Sequence, residues 1–252
     1  MRFLLRYNGA FQPNDLFSAI MARQPRLVLP DYPHHIIQRG NDNQAIVRAD
    51  EDHRRFLDWL RESARFYHVA IHAYVLMPNH VHLLATPSDE DGLAAMMQKV
   101  GRLYVPWFNH KYGRSGTLFQ GRLRTSVIDP DAYFLACIRY IELNPVRSQL
   151  APAPLDYPWS SYAHHAGVRP DPLITDHAKY WELGNTPFQR EAAYIELAQQ
   201  GMSSQELDTI NAAVLKGAPL GSHAFKVELE RTTKRQILPA KRGRPFKAPA
   251  AD

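Results

Sequence analysis

The sequence predicts an α+β fold in which helices pack on an antiparallel sheet. Strand-like and helix-like segments follow one another in the order strand, helix, hairpin, helix, strand, helix. A turn signal at Pro78-Asn79 separates the two strands of the hairpin. Apolar residues make up 45% of the 252 residues, which is enough for a packed core. Such an order is typical of a hairpin-linked sheet with helices on a face.

The first strand and the first helix follow from local patterns. The strand-like run His34–Gln38 ends at Arg39-Gly40-Asn41. Asp50 is expected to cap a helix at Glu51–Tyr67, where apolar residues recur at helical spacing.

The hairpin strands and the second helix come next. Val69–Leu76 and His80–Ala85 are rich in β-branched and aromatic residues and predict two paired strands. Asp91-Gly92 opens a helix with apolar residues on one side, and Pro106 is expected to kink or end it. A basic, glycine-containing loop, Lys111–Gly116, follows.

The last strand and helix complete the order. Arg122–Ile128 alternates and predicts a strand, and Asp129-Pro130 is a strong helix start. The helix is expected to end near Leu143, because Pro145 stops it and disfavours the α conformation at Asn144. The whole order is that of a ferredoxin-like sheet.

Composition limits the class of protein. The single cysteine, Cys137, excludes an internal disulfide and fits a reducing compartment. No apolar run reaches the roughly 18 residues of a membrane helix, so we expect no membrane contact and a cytoplasmic, nucleoid-associated protein. Met21 precedes a basic stretch and a strand-like run, and we expect it to be the true start.

Two histidines on one strand form the first candidate site. His80 and His82 are two residues apart, so their side chains project from the same face and can grip one divalent ion. The short pattern also arises by chance among twelve histidines, in which case both are ordinary half-exposed residues of a sheet.

The second candidate site lies on the last helix. Tyr140 and Asn144 are four residues apart and therefore share a helix face. A tyrosine nucleophile needs a nearby cation, and an amide oxygen suits a hard ion such as Mg²⁺, so Asn144 is a candidate third ligand. The plain alternative makes Tyr140 a core residue and Asn144 a polar helix end.

The residues around both candidate sites resemble a known family. Leu76–Leu84 resembles the histidine–hydrophobic–histidine motif of single-tyrosine transposases, and Arg139–Arg147 resembles that family's nucleophile helix. Three further strings resemble the branch called REP-associated tyrosine transposases: Gln38–Asn41, Phe119–Arg122 and Tyr157–Tyr162. The resemblance covers about residues 25–185.

The resemblance implies a ferredoxin-like fold and a DNA-nicking and -joining activity. It implies that Tyr140 attacks a phosphate of single-stranded hairpin DNA, giving a 5′-phosphotyrosine and a free 3′-hydroxyl. It further implies that Mg²⁺ or Mn²⁺ lies on His80, His82 and a polar residue of the tyrosine's helix, for which Asn144 is the candidate.

The resemblance and composition divide the chain into five segments. Residues 1–24 are an N-terminal extension, 25–150 the single-tyrosine domain, 151–185 an irregular wrap on it, 186–220 a helical extension, and 221–252 a basic, largely disordered tail. From Ser222 to Lys247 the chain carries eight basic and two acidic residues, and such tails commonly bind nucleic acid.

Basic residues supply the candidate DNA contacts. Lys241–Lys247 resembles an AT-hook, whose arginines enter narrow A/T-rich minor grooves, so an A/T-rich duplex is a second candidate partner. A basic linker is the alternative. The candidate contacts are Arg39, Lys111, Arg114, Arg122, Arg124, Arg139, Arg147, Arg242 and Arg244.

Two rival functions remain open from the sequence. The sheet could bind hairpins without chemistry, as a regulator, or the protein could be a metal-dependent phosphodiesterase that activates water and uses Tyr140 only as core. One tyrosine per site also leaves open whether two cuts need a homodimer or sequential use of one subunit.

Overall fold

The computed structural model describes residues 26–238. The four strands are β1 (His34–Arg39), β2 (Val69–Met77), β3 (His80–Pro87) and β4 (Arg124–Val127). The helices up to the end of the predicted domain are α1 (Asp50–Phe66), α2 (Gly92–Lys111), α3 (Pro130–Glu142) and the single turn α4 (Asn144–Arg147). Those that follow are α5 (Tyr162–His165), α6 (Ala178–Trp181), α7 (Pro187–Gln199), α8 (Ser204–Lys216) and α9 (His223–Thr233).

The strands form one antiparallel sheet in the order β2-β3-β1-β4. With two intervening helices, this is the predicted ferredoxin-like α+β arrangement. The register aligns Ile37 of β1 with His82 of β3 on one side and with Arg124 of β4 on the other. Cross-strand partners share a face, so this row places three side chains on the same surface of the sheet.

Each face of the sheet carries its own core. On one face, Val81 and Leu83 pack with the apolar sides of α1 and α2. On the other, Val75 and Leu84 pack with Ile138 of α3 and with the helices that follow it. The histidine pair belongs to this second face, because alternation turns His80 and His82 away from Val81.

Both edges of the sheet are covered by later parts of the chain. The wrap at 151–185 runs along β2, where Leu76 N–H donates to Trp159 O at 2.9 Å and Ser161 N–H to Tyr74 O at 3.0 Å. The helical extension covers β4, where Leu220 N–H donates to Val127 O at 2.8 Å. Exposed edges template unwanted strand pairing, so this covering protects the sheet.

Helix α2 does not end at Pro106, which was one of the two outcomes expected from sequence. It continues to Lys111. Pro106 and Arg102 are exposed, so water can satisfy the carbonyl that loses its backbone partner, while Tyr104 and Phe108 hold the opposite side in the core.

Other boundaries also differ from the expectation. Ala49 rather than Asp50 occupies the N-cap of α1, and β4 is shorter than Arg122–Ile128. The segment expected to be a largely disordered tail contains α9, which Ser222 caps by accepting a hydrogen bond from Phe225 N–H at 3.1 Å. Within residues 26–238, no helix is long and apolar enough to cross a membrane.

Candidate metal and nucleophile site

The two motif histidines lie side by side on β3. Their ring centroids are 4.9 Å apart, and His82 is 3% exposed while His80 is half-buried at the sheet end. Arg39 is the cross-strand partner of His80 and shares its face. The strand therefore presents two imidazoles and a guanidinium at one end of the sheet.

Hydrogen bonds orient both histidines through Nδ1. His80 Nδ1–H donates to Asn79 Oδ1 at 2.7 Å, which leaves the lone pair of Nε2 for a ligand. His82 Nδ1 lies 2.8 Å from His35 Nε2. If His82 holds an ion through Nε2, its proton lies on Nδ1 and is donated to His35. Metal-binding histidines characteristically donate the other ring N–H in this way.

His35 is a site residue that the motif does not contain. It is fully buried, stacks on His82 with ring centroids 5.1 Å apart, and its Nδ1 has no hydrogen-bond partner among the described residues. It lies on β1 two residues before Ile37, the cross-strand partner of His82. The signal for it was available in the alternation of β1, but only together with the register between the strands.

Burial keeps these histidines neutral. Desolvation lowers the pKa of His80 to about 4 and that of His35 to about 3. The pKa of His82 falls well below its usual value, first through burial and then through His35 and neighbouring cations. Neutral imidazoles with free lone pairs are the form that binds metal, so the pair fits a divalent ion.

Tyr140 of α3 faces the histidines. Its ring centroid is 5.8 Å from that of His82 and 5.5 Å from that of His35, and its side chain is 8% exposed. Its hydroxyl donates to Asn211 Oδ1 of α8 at 3.5 Å. The tyrosine thus lies at the histidine cluster, and the helical extension contacts its hydroxyl group.

Arg147 lies over the ring of Tyr140. Its guanidinium carbon is 4.7 Å from the ring centroid, and its Nη2 donates to Tyr140 O at 2.5 Å. Burial raises the pKa of the Tyr140 phenol, while the charges of Arg147 and Arg39 oppose that rise. Two cations therefore favour the phenolate that an attacking tyrosine requires.

Asn144 lies just beyond the tyrosine's helix. The helix ends at Glu142, and the chain starts a new turn at Asn144, so this residue is helical although Pro145 was expected to disfavour it. Pro145 is tolerated because the start of a helix needs no backbone donor. Asn144 Oδ1 accepts a hydrogen bond from Ser148 Oγ at 3.2 Å, and no hydrogen bond joins it to the histidine pair in residues 26–238.

A buried carboxylate fixes α3 from behind. Glu142 accepts hydrogen bonds from Ser161 Oγ, from Tyr194 Oη and, at 2.7 Å, from His165 Nδ1. These partners come from the wrap and from α7, so Glu142 connects the helix that carries Tyr140 to both later segments. Sequence reasoning did not single it out, because its partners lie 19, 23 and 52 residues away.

Three of the candidate DNA contacts are engaged in internal contacts. Lys111 Nζ pairs with Asp52 at 2.6 Å and with Glu51 at 2.8 Å. Arg114 donates to Asn109 and Gln44 side chains, and Arg139 donates to Leu197 O at 3.1 Å and Gly201 O at 2.9 Å. Their polar groups connect helices and loops of this chain, and Arg139 also pairs with Glu206 at 3.7 Å, so these three side chains have structural roles here and stay only predictions as DNA contacts.

The remaining basic candidates divide by position. Arg39 and Arg147 lie at the histidine–tyrosine cluster, as their effects on the Tyr140 pKa indicate. Arg122 and Arg124 are exposed on the β4 side. Arg242 and Arg244, with the AT-hook-like string, lie outside the described residues.

A second cluster also places ligand-type atoms together: His164, His165 and Asp176. His164 Nδ1 accepts a hydrogen bond from Asp171 N–H at 3.0 Å, so its proton lies on Nε2, which donates to Asp176 at 3.1 Å. That tautomer leaves His164 no lone pair for an ion. The pair on β3 is therefore the better metal site.

A family model and a solved structure are similar to parts of this chain. Residues 30–144 match the family model described as transposase, IS200-like. The structure of a REP-associated tyrosine transposase bound to a REP hairpin matches with a TM-score of 0.50 and 17% identity, over 63% of this chain and 96% of that one. At that identity the likeness concerns the fold alone.

A candidate transposase from Deinococcus radiodurans matches with a TM-score of 0.35 and 20% identity, over 51% of this chain and 92% of that one. That TM-score is too low to establish a common fold. Among curated protein sequences, none matches this chain. The family match includes β1, the histidine pair and α3 with Tyr140, and it confirms over residues 30–144 the resemblance to this transposase family that the motifs predicted.

Proposed function

We propose that this protein nicks and rejoins hairpin-forming single-stranded DNA with Tyr140 as the nucleophile and a divalent ion on His80 and His82. The observation that carries the proposal is that the Tyr140 ring lies close to the rings of His82 and His35 and beneath the guanidinium of Arg147. A tyrosine that only fills the core does not require two histidine rings and a guanidinium beside it.

The chemical step is a transesterification. The Tyr140 hydroxyl oxygen bonds to the phosphorus of the scissile phosphodiester, the bond from phosphorus to the 3′ oxygen breaks, and the phenol proton passes to solvent. The products are a 5′-phosphotyrosine and a 3′-hydroxyl once the leaving oxygen takes up a proton. Attack by a 3′-hydroxyl on the phosphotyrosine reverses the step and joins strands.

The residues of the chain have separate tasks in this step. His80 and His82 would hold Mg²⁺ or Mn²⁺ through Nε2, and the amide oxygen of Asn144 is the proposed third ligand. The bound ion would neutralise charge on the attacked phosphate. Arg147 and Arg39 stabilise the phenolate of Tyr140 by charge, which opposes part of the rise in its pKa that burial causes.

Hairpin-forming single strands are the proposed substrate class. The solved fold neighbour carries a REP hairpin, and five motifs of this chain resemble the same branch of transposases. The positive site also suits a polyanion, since neutral imidazoles leave the charges of Arg39 and Arg147 unopposed by a ligand carboxylate.

A covalent-adduct assay tests the proposal. The protein is mixed with hairpin DNA labelled at its 3′ end, which stays with the fragment joined to tyrosine, and with Mn²⁺, and is then run on a denaturing protein gel. We expect a labelled band that needs the metal and disappears in Tyr140→Phe, because the phenylalanine lacks the attacking oxygen. Tyr133→Phe, two turns earlier on the same helix, is the matched control and should keep the band.

The other outcomes distinguish the rivals. Cleavage without a labelled band would support a phosphodiesterase that uses water, with Tyr140 as core. Tight hairpin binding with neither cleavage nor label would support a DNA-binding regulator. A band that persists in Tyr140→Phe would assign the attack to another residue.

A further inference from the structure

A cleft beside β4 is lined by basic residues from four separate parts of the chain. Its volume is about 580 Å³. Within the described part of the chain, no acidic residue lines it. The six basic lining residues are Arg26, Arg122, Arg124, Lys216, Lys234 and Arg235, and this set is called the basic cleft below.

An adjoining cleft shows that this charge is not a general property of the region. The neighbour measures about 760 Å³ and shares Arg26, Arg122 and Arg235 with the basic cleft. It is also lined by three acidic residues, Glu90, Asp91 and Glu228. Positive charge is therefore concentrated on one side of the shared arginines, where a polyanion would be favoured.

Hydrogen bonds hold the walls of the basic cleft in place. Arg26 Nε donates to Leu123 O at 3.0 Å, and Arg235 Nη1 donates to Arg26 O at 3.0 Å. Arg124 donates to Leu215 O at the end of α8. The bond of Arg124 does not neutralise its charge, because a carbonyl group is the acceptor.

The segment that carries Lys234 and Arg235 is also fixed. Glu230 Oε1 accepts hydrogen bonds from Ile237 N–H at 2.7 Å and Leu238 N–H at 3.1 Å. Lys234 adopts a left-handed conformation, with φ of 55°, where α9 ends. The turn brings Lys234 and Arg235 back to β4, and the backbone N–H groups that follow bind the carboxylate of Glu230.

The basic cleft is close to the proposed nucleophile. Arg124 and His82 pair with opposite sides of Ile37, so they lie two strand spacings apart, about 10 Å, on the same face. Helix α8 makes the same connection, because Asn211 contacts Tyr140 Oη and Leu215, one turn later, contacts Arg124. Each nucleotide of a DNA strand in a duplex spans about 3.4 Å, so a few nucleotides reach from Tyr140 to the basic cleft.

We infer that the basic cleft binds the phosphates of the single-stranded DNA next to the cleavage site. The helical extension then serves to build this cleft. The inference rests on the proposed function and deepens it. The ligand is the sugar–phosphate backbone, because guanidinium and ammonium groups around a cleft recognise phosphate charge and carry no base-reading pattern.

A salt titration of single-strand affinity tests the inference. The variant Lys216→Gln/Lys234→Gln removes two exposed cleft charges and no side-chain hydrogen bond among those described. It is made in a Tyr140→Phe background, and binding is measured without divalent metal from about 50 to 200 mM salt. The probes are a labelled hairpin and the same hairpin with a single-stranded extension.

We expect the cleft variant to lose the affinity that the extension adds and to keep affinity for the bare hairpin. The slope of log affinity against log salt for the extended probe should fall by roughly 1.4, or about 0.7 for each lost phosphate contact. Lys99→Gln/Arg102→Gln, on α2 over the other face of the sheet, removes the same charge and should leave the slope unchanged.

Three results would overturn the inference. They are an unchanged slope in the cleft variant, an equal loss in the α2 control, and complete displacement of the extension by inorganic phosphate, which would indicate a discrete anion site. The adduct assay separates this inference from the proposed function. A persistent adduct with an unchanged slope rejects only the cleft, whereas a lost slope in a chain that forms no adduct rejects only the chemistry.

Discussion

Two histidine clusters of the described residues are candidate metal sites, one in the wrap and one on β3. Judged by distances alone, the cluster in the wrap is the better candidate. His164 and His165 lie within ligand range of a carboxylate, Asp176, whereas His80 and His82 have no acidic neighbour in contact within the described residues. The difference lies in the lone pairs. His164 uses both ring nitrogens in hydrogen bonds, whereas His80 and His82 use Nδ1 and keep Nε2.

The comparison teaches that a metal site is recognised by uncommitted lone pairs rather than by proximity. In the wrap, histidines complete a network around Glu142 and Asp176 that fixes helices. On the sheet, hydrogen bonds behind the rings orient them toward the surface that Tyr140 faces. The same side chain is a structural donor in one cluster and a proposed metal ligand in the other.

The largest expected effect comes from exchanging one histidine in each cluster. His82→Ala should reduce Mn²⁺ affinity and adduct formation by more than about 100-fold, because loss of a ligand exceeds the loss of an outer-shell partner. Calorimetry measures the affinity without DNA, and the adduct gel measures the chemistry. His164→Ala is the matched exchange and should retain both. Loss of Mn²⁺ binding in His164→Ala but not in His82→Ala would reverse the assignment.

The second expected effect concerns stability. Glu142→Ala leaves the buried donors His165 Nδ1 and Tyr194 Oη without an acceptor, while Ser161 Oγ keeps Tyr74 O, so the free energy of unfolding should fall by about 3 kcal/mol or more. Urea denaturation measures the change. Mn²⁺ affinity of the folded variant should stay within about threefold, since the network holds no proposed ligand nitrogen.

Glu182→Ala serves as the control for this stability effect. Glu182 pairs with Lys179 at 2.9 Å on the surface, and exposed ion pairs contribute about 1 kcal/mol or less. Equal losses in the two variants would mean that the Glu142 network is worth no more than a surface pair.

The smallest effect concerns the residue behind the ligands. His35→Ala should weaken Mn²⁺ binding about 10- to 100-fold, because His82 loses the acceptor that orients its ring. His35→Gln offers an amide oxygen to His82 Nδ1 and should recover part of the affinity. His34→Ala, whose imidazole bonds to Leu29 and Tyr32 instead, controls for the loss of a buried histidine. If His35→Ala and His34→Ala bind Mn²⁺ alike, His35 has no positioning role.

Much of the fold was available from local patterns. The Pro78-Asn79 turn set the hairpin, and the period of two put His80 and His82 on one face, as β3 shows. Boundaries failed where solvent or tertiary contacts decide. Pro106 remains inside α2 because its lost hydrogen bond faces water, and α9 forms at a segment whose charge suggested a tail.

The candidate site was partly accessible in the same way. Tyr140 and the histidine pair come from motifs, but His35 depends on the register between β1 and β3. Asn211 and Tyr194 reach α3 from helices more than 50 residues away, with no local signal in the sequence. Internal engagement of Lys111 and Arg139 was also invisible, since a charge pattern does not show which groups are already paired.

The covering of β4 limits how far this protein can be shortened without exposing the edge of its sheet. The family match stops at residue 144, yet Leu220 pairs with the backbone of the outermost strand, and Asp129 binds Ser222 at 3.0 Å. A fragment shortened to the matched segment would lose the residues that cover β4 and would expose this edge strand to other copies. The recognisable module and the cooperative folding unit are thus different lengths of chain, and the shorter one would aggregate.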